Sequence, residues 1–143
     1  MILDAAMQFS DSQAVTATAV GTNVVDLGVA QRQRGHILHV VFNVTEAATA
    51  SGAATVDFEV VTDDNDSLSS PTVVASSGAI GKATLVAGHQ LSVQLPVGVP
   101  LERYLGVQYT VATGPLTAGQ FDANVTNDLQ NDYYFADADI ANA

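Results

Sequence analysis

Apolar and polar residues alternate with a period of two along most of the chain, and the period of about 3.6 residues typical of helices is nearly absent. In "ATVDFEVV", for example, Val56, Phe58 and Val60 share one phase and acidic residues occupy the other. The same alternation recurs in "HQLSVQLP", "RYLGVQYTV" and "QFDANVT". Strands with one apolar and one polar side are typical of antiparallel sheets. The pattern therefore predicts an all-β protein.

Turn signals separate about eight segments that read as strands. The other four segments are "QAVTATAV", "NVVDLG", "HILHVVFNV" and "PTVVASS". We interpret residues 1–143 as one antiparallel β-sandwich domain, for which jelly-roll and immunoglobulin-like topologies are both open. Residues 1–12 precede the alternation and are predicted to form an N-terminal arm. Residues 127–143 lose the alternation, become acidic and are predicted to form a C-terminal tail.

The charge of the chain argues against two classes of partner. The 143 residues carry a net charge of −11, with only four basic residues. A protein that binds nucleic acid or anionic lipid needs a basic face, so neither partner is expected. The N-terminus resembles no signal peptide, and no segment approaches the ~20 apolar residues of a membrane span. We expect a soluble protein made in the cytosol.

The acidic stretch "DDNDSLS" is the first candidate for a metal site. A calcium loop of the EF-hand type that began at Asp63 would need Gly at its sixth position and Glu at its twelfth. Leu68 and Val74 stand there instead. Asp, Asn and Ser also favour turns, because their side chains bond to nearby backbone groups. His36 and His39 point to opposite faces of a predicted strand. The sequence thus predicts a turn and no metal site.

No motif indicates catalysis. The chain lacks a G-x-S-x-G elbow, a Gly-rich phosphate loop and any cysteine. We therefore predict a non-enzymatic protein with no catalytic residue and no cofactor.

Three groups of residues are candidates for contacts with another protein. They are apolar residues of the N-terminal arm, the arginines of "QRQRG", which suit an acidic partner, and the aromatic cluster of "DYYF". Their members are Ile2, Leu3, Met7 and Phe9; Arg32 and Arg34; and Tyr133, Tyr134 and Phe135. In addition, Val41 and Val24 fall in the outward phase of their strands, and we expect a subunit interface to cover them.

Three long stretches of the chain resemble the capsid cement, or decoration, proteins of tailed bacteriophages, in particular the podophage-type jelly-roll cement family. The stretches are "MILDAAMQFSDSQAVTATAVGTNVVDLG", "TVDFEVVTDDNDSLSSPTVV" and "LERYLGVQYTVATGPLTAGQFDANV". Gly21 stands where the family pattern has Ser, and Gly106 stands where Arg is common. Neither change disturbs the alternation.

The resemblance implies a jelly-roll that assembles as a homotrimer on the outer surface of the phage head. There it would bridge and stabilise subunits of the major capsid protein. This role needs no cofactor and implies a virion protein assembled in the host cytoplasm. The alternative is a β-sandwich binding module that recognises host glycan. The inward phase of Phe42, Phe58, Tyr109 and Phe121 disfavours that alternative, because sugar binding needs an exposed aromatic platform.

Overall fold

The computed structural model describes residues 3–33 and 35–127, and it confirms the predicted all-β class. The described residues form one turn of 3-10 helix at Ala5–Met7 and eleven strands. The strands are β1 (Gln8–Ala14), β2 (Ala19–Val20), β3 (Val25–Asp26), β4 (Gln31–Arg32), β5 (Leu38–Thr49), β6 (Thr55–Asp63), β7 (Thr72–Gly81), β8 (Gln90–Leu95), β9 (Pro100–Leu101), β10 (Tyr104–Ala112) and β11 (Ala118–Thr126).

The strand pairing is that of one long antiparallel hairpin rolled into two sheets. Strand β6 pairs with β7, β5 with β8, β4 with β9, β2 and β3 with β10, and β1 with β11. Rolling adds the pairs β5–β11 and β6–β10. The result is a four-stranded sheet β1-β11-β5-β8 and a five-stranded sheet in which β3 joins β2-β10-β6-β7. This nested order is a jelly-roll sandwich.

The core lies between the two sheets and is built on the alternation seen in the sequence. Val56, Phe58 and Val60 are buried there, whereas Asp57 and Glu59 are half-exposed. Four aromatic rings from both sheets form its centre, with contacting centroids 5.2–6.0 Å apart: Phe42, Phe58, Tyr109 and Phe121. The Tyr109 hydroxyl forms a hydrogen bond with Ser10, which satisfies both buried groups.

The predicted boundary of the N-terminal arm is wrong. Strand β1 begins at Gln8, and Phe9 is fully buried in the core. Alternation does not reveal this strand, because its pairing with β11 contains two register shifts and most of its residues are polar. The two-residue strands β4 and β9 were also not predicted, since two residues carry no periodic signal. Each of the eight predicted segments does contain a strand.

The expectation for Val41 is also wrong. Val41 faces away from the main core, yet it is fully buried within the single chain. Its partner on β11, Asn124, is buried as well. The outer side of the sheet is therefore covered at this point, and Val41 needs no second subunit. Val24 is half-buried. Within the described ranges no helix has the length and apolarity to cross a membrane.

Candidate functional site

A mainly apolar groove of about 320 Å³ opens at one end of the sandwich. Strand β1 begins at this end, directly after the lining residue Met7, and β11 ends here at Thr126. Seven of the twelve residues that line the groove are apolar, namely Met7, Val25, Leu27, Leu38, Leu101, Leu105 and Val125. The others are Asp4, Gln31, Gln33, Thr126 and Asn127. A mainly apolar cleft with a few polar groups is typical of a binding site.

The 3-10 turn places the N-terminal residues at this groove. The Asp4 side chain accepts a hydrogen bond from the Ala6 backbone N–H at 2.9 Å, and the Asp4 carbonyl accepts one from Met7 at 2.9 Å. Asp4 thus caps the start of the turn, and the turn ends at Met7, directly before β1. Met7 is 39% exposed while lining the groove, and Leu3 is 44% exposed. Both are therefore available for contact.

Strand β4 places Arg32 at the same end. The backbone N–H of Gln33 donates to Val99 at 3.0 Å, and Gly98 donates to the Gln33 carbonyl at 2.7 Å. The Gln33 side chain is buried and donates to the His36 carbonyl at 3.2 Å. Arg32 remains exposed, and its Nη1 donates to the Gly98 carbonyl at 3.1 Å. The guanidinium thus stands at the surface beside the groove.

Five of the exposed large apolar residues lie in segments that border this groove. Leu3 precedes the lining residue Asp4, and Ile37 precedes the lining residue Leu38. Val97 precedes Gly98, whose N–H donates to the carbonyl of the lining residue Gln33. We call this set the apolar rim: Leu3, Met7, Val29, Ile37 and Val97. The two other exposed large apolar residues described are Val73 on β7 and Val86 after β7. Because exposed apolar patches are typical of interaction sites, the apolar rim is the leading candidate for a contact surface.

An ion pair fixes one wall of the groove. Arg103 donates from Nε to Asp26 Oδ1 and from Nη2 to Asp26 Oδ2, both at 3.0 Å. These hydrogen bonds, and a further one from the Gly28 N–H, hold the pKa of Asp26 below its usual value. The guanidinium also lies 5.1 Å from the ring centroid of Tyr104. The pair joins Asp26 of β3 to Arg103, the residue directly before β10. Val25 of β3 and Leu105 of β10, which pair with each other next to it, line the groove.

The acidic stretch forms the predicted turn. Asp63 is buried, and its carboxylate accepts hydrogen bonds from Asn65 at 3.2 Å and Ser70 at 2.8 Å. The Ser67 N–H donates to the Asn65 side chain at 2.9 Å. The Ser70 N–H, more than any other group, lowers the pKa of Asp63. Side chains therefore bond to the local backbone, as the sequence indicated.

Sequence reasoning missed a neighbour of this turn. Carboxylate oxygens of Asp63, Asp64 and Glu102 lie within 4.8 Å of one another, so the cluster has room for a cation. Glu102 reaches it because its N–H donates to Thr62 at 2.8 Å, just before β10 pairs with β6. Glu102 is distant in sequence, and no local motif signals its approach. The Asp63 carboxylate already has backbone partners, and the absence of a metal stays a prediction.

The structure brings some of the predicted contact residues together at the groove and shows that one of them cannot be a contact residue. Leu3, Met7 and Arg32 lie at the groove end of the sandwich. Phe9 is a correction, because its side chain belongs to the core and cannot reach a partner. Ile2, Arg34, Tyr133, Tyr134 and Phe135 lie outside the described residues. The groove leucines were not predicted, since each reads in sequence as an ordinary core residue.

The comparison with protein families agrees with the phage resemblance at a coarse level. The family model Bbp16 matches residues 9–125, a range that includes nearly all of the eleven strands. No curated protein matches the chain. The chain belongs to the Bbp16 family, which is associated with bacteriophages.

Proposed function

For this member of a phage-associated family, we propose the role of a non-enzymatic structural protein of the virion. It binds the outer surface of the phage head as a homotrimer, and it bridges and stabilises subunits of the major capsid protein. The observation that carries the proposal is the apolar rim around the groove, at one end of a jelly-roll from a phage-associated family. The role requires no catalytic group and no cofactor.

The charge of the chain supports a local mode of binding. A net charge of −11 gives little general attraction to an acidic or neutral surface. Binding must then come from the few side chains that a partner covers. Burial of two or three rim residues, such as Met7 and Val97, would contribute roughly 1.5–3 kcal/mol for each side chain.

Trimer formation would convert this modest contact into stable binding. One subunit gains only the surplus that is left after the entropic cost of association, so a single contact is weak. When three copies share one axis, the second and third contacts become intramolecular. Avidity can then exceed the affinity of one subunit by about 10²–10⁴. The trimer is thus part of the proposed mechanism.

Recognition of host glycan is less well supported. Carbohydrate modules stack sugars on exposed aromatic rings, whereas Phe9, Phe42, Phe58, Tyr109 and Phe121 are fully buried. Among the aromatic residues described, only Tyr104 is partly exposed, and Arg103 covers one face of its ring. No described feature favours a sugar site.

The proposal is tested with heads of the encoding phage that lack this protein. Purified protein is added, heads are separated by sedimentation, and occupancy is measured by cryo-electron microscopy. We expect binding at local threefold axes and greater resistance of the heads to heat. Leu3→Asp and Met7→Asp should lower occupancy, because each places a charge in the contact.

Val86→Asp is the matched control. Val86 is 54% exposed and lies at the opposite end of the sandwich, beside Leu85, which accepts a hydrogen bond from Ala48 near the end of β5. This variant should decorate heads like the wild type. Failure of the wild-type protein to bind such heads, or equal loss with all three variants, would refute the proposal.

A further inference from the structure

We propose that β4 and the groove bind an extended segment of a partner protein, which pairs with β4 as an added strand and carries an acidic side chain between two apolar ones. The acidic side chain meets Arg32, and its two apolar neighbours enter the groove. The inference rests on the proposed function only for the source of the segment, which would be the major capsid protein. The chemistry of the segment follows from β4 itself.

The first support is the edge of β4 that faces away from β9. The Gln33 N–H donates to the Val99 carbonyl at 3.0 Å, and the Gly98 N–H donates to the Gln33 carbonyl at 2.7 Å. Both main-chain groups of Gln33 thus point to the β9 side, and those of the next residue in a strand point to the opposite side. The groups of Arg32 therefore face away from β9, the only strand that pairs with β4 in the described part of the chain. Such an edge can accept a further strand.

The alternation of side chains decides which residues the segment needs. Gln31 and Gln33 line the apolar groove, so the side chain of Arg32, between them, lies on the other face of β4. Side chains directly opposite each other in an antiparallel pair share a face. The segment residue opposite Arg32 therefore lies beside the guanidinium, and its two neighbours point to the groove. This register predicts the pattern apolar, acidic, apolar.

Charge selects an acidic residue for the central position. Arg32 is exposed, and its Nη1 donates to the neutral Gly98 carbonyl at 3.1 Å, which takes one of the five N–H donors of a guanidinium. The other arginine described, Arg103, is already paired with Asp26. Asp4 lines the groove, but its carboxylate caps the 3-10 turn. On a chain with a net charge of −11, Arg32 is thus a local point of attraction for a carboxylate.

The groove suits the two apolar side chains of the segment. Leu101, which pairs with Gln31, lines the groove together with Leu38 and Leu105. Its volume of about 320 Å³ is at the lower end of the ~300–1,000 Å³ of ligand pockets. This space fits side chains of a strand whose main chain stays outside. Residues 30–33 line a second hollow of about 440 Å³, which leaves room for that main chain.

Titration of the full-length protein with short peptides, followed by NMR, tests the inference without phage heads. The first probe is the peptide Gly-Leu-Asp-Leu-Gly, acetylated at its N-terminus and amidated at its C-terminus. We expect a dissociation constant on the order of 1 mM, because few contacts must offset the cost of association. The Arg32 amide and the methyl groups of Leu38 and Leu105 should shift. The signals of Val86, at the opposite end of the sandwich, should not.

Two further peptides isolate the side-chain contacts. Gly-Leu-Asn-Leu-Gly should bind about threefold to fivefold more weakly, the ratio expected for an exposed ion pair. Gly-Ser-Asp-Ser-Gly should bind about tenfold or more weakly, because it has no apolar side chain to bury. In Arg32→Gln the Asp and Asn peptides should bind equally. Lys82→Gln is the matched control, since it removes one positive charge from a residue outside the groove lining and should keep the preference for Asp.

N-methylated peptides isolate the pairing with β4. In the proposed register the N–H of the peptide's Asp donates to the Arg32 carbonyl, so N-methylation of this residue should abolish the shifts. The N–H of the Leu that follows points away from β4. N-methylation of that Leu should therefore leave binding nearly unchanged. Equal effects of the two methyl groups would show that the peptide does not bind as an added strand, and the inference would be wrong.

Three other results would also overturn the inference. They are the absence of saturable shifts with the first peptide at about 10 mM, equal binding of the Asp and Asn peptides to the wild type, and groove signals that shift with protein concentration alone. The last result would identify a second copy of the chain as the occupant.

Capsid binding is measured separately. If the wild-type protein decorates heads but does not bind the peptide, the inference fails and the proposed function stands. If the peptides bind as expected but heads stay bare, the chemistry of the site stands and the proposed function fails.

Discussion

Leu68 of the acidic turn lies directly on Gly106 of β10. A Cβ atom added to Gly106 would come within 2.5 Å of Leu68 Cδ1, so no larger residue fits there unless Leu68 moves. Leu68 is buried although it lies outside the main core, and its φ of +49° is unusual for a side chain of this size. Gly106 is thus explained by packing, whereas the sequence showed only its departure from the Arg that is common in the family pattern.

Gly106→Ala should destabilise the protein by about 1–3 kcal/mol, because the added methyl group overpacks the contact with Leu68. Chemical denaturation measures the loss. Gly81→Ala is the matched control, since Gly81 is also a strand residue but has no atom within 4 Å of its added Cβ. Equal stability of the two variants would contradict the contact.

The same contact predicts coupling between the two positions. In a double-mutant cycle with Leu68→Ala, the cost of Gly106→Ala should fall, because the truncated side chain leaves room for the methyl group. Additive free energies of unfolding would show that the two residues do not interact.

Truncation of the N-terminus should have two distinct effects. Removal of residues 1–6 should leave the sandwich folded, since β1 begins at Gln8. Phe9→Ala should cost about 3–5 kcal/mol, because it opens a cavity in the core. Deletion of residues 1–9 should therefore destabilise the fold as well as remove the contact residues. Thermal unfolding of the three variants checks that only the two changes that affect Phe9 lower the stability. A Phe9→Ala protein as stable as the wild type would contradict this prediction.

The acidic turn should fold without a metal ion, because backbone N–H groups already satisfy the Asp63 carboxylate. The midpoint of thermal unfolding should change little between excess EDTA and millimolar calcium. A rise of more than about 4 °C, which corresponds to roughly 1 kcal/mol in a domain of this size, would identify a stabilising site. Glu102→Gln would then show whether Asp63, Asp64 and Glu102 provide it.

Acid should weaken the same turn. The pKa of Asp63 in the folded state lies below the ordinary Asp value of 3.8, mainly because the Ser70 N–H binds the charged form. At pH values between the folded and unfolded pKa, the unfolded state binds more protons. The contribution to stability is therefore complete above about pH 4 and is lost as the pH falls through the folded pKa.

Asp63→Asn isolates this effect. The variant should be less stable at pH 7, and its stability should fall less steeply below pH 4 than that of the wild type. Denaturation at a series of pH values measures both changes. Asp57→Asn is a control at a half-exposed carboxylate on β6. If the stability of Asp63→Asn falls as steeply below pH 4 as that of the wild type, another group is responsible for the loss of stability in acid.

The alternation of apolar and polar residues determined the class of fold and the inward faces of the central strands. Val56, Phe58 and Val60 could be assigned to the core from the sequence, because successive side chains of a strand point to opposite sides whatever the strand pairs with. The acidic turn could be predicted for a similar reason, since Asp63 and Asn65 bond to backbone groups a few residues away. These are local properties of the chain.

Only the tertiary structure decided which residues are buried and which are exposed. Phe9 belongs to the core because β1 pairs with β11, more than a hundred positions away in sequence, through an irregular register that no alternation reveals. Val41 is buried although its phase points outward, since another part of the chain covers that side of the sheet. The groove forms where residues from seven strand ends and turns converge, and Leu38 and Leu105, which belong to different sheets, meet at one groove only when the long hairpin rolls up. Contacts between distant segments depend on how sheets close and loops cover them, and a periodic pattern within one strand carries no information about either.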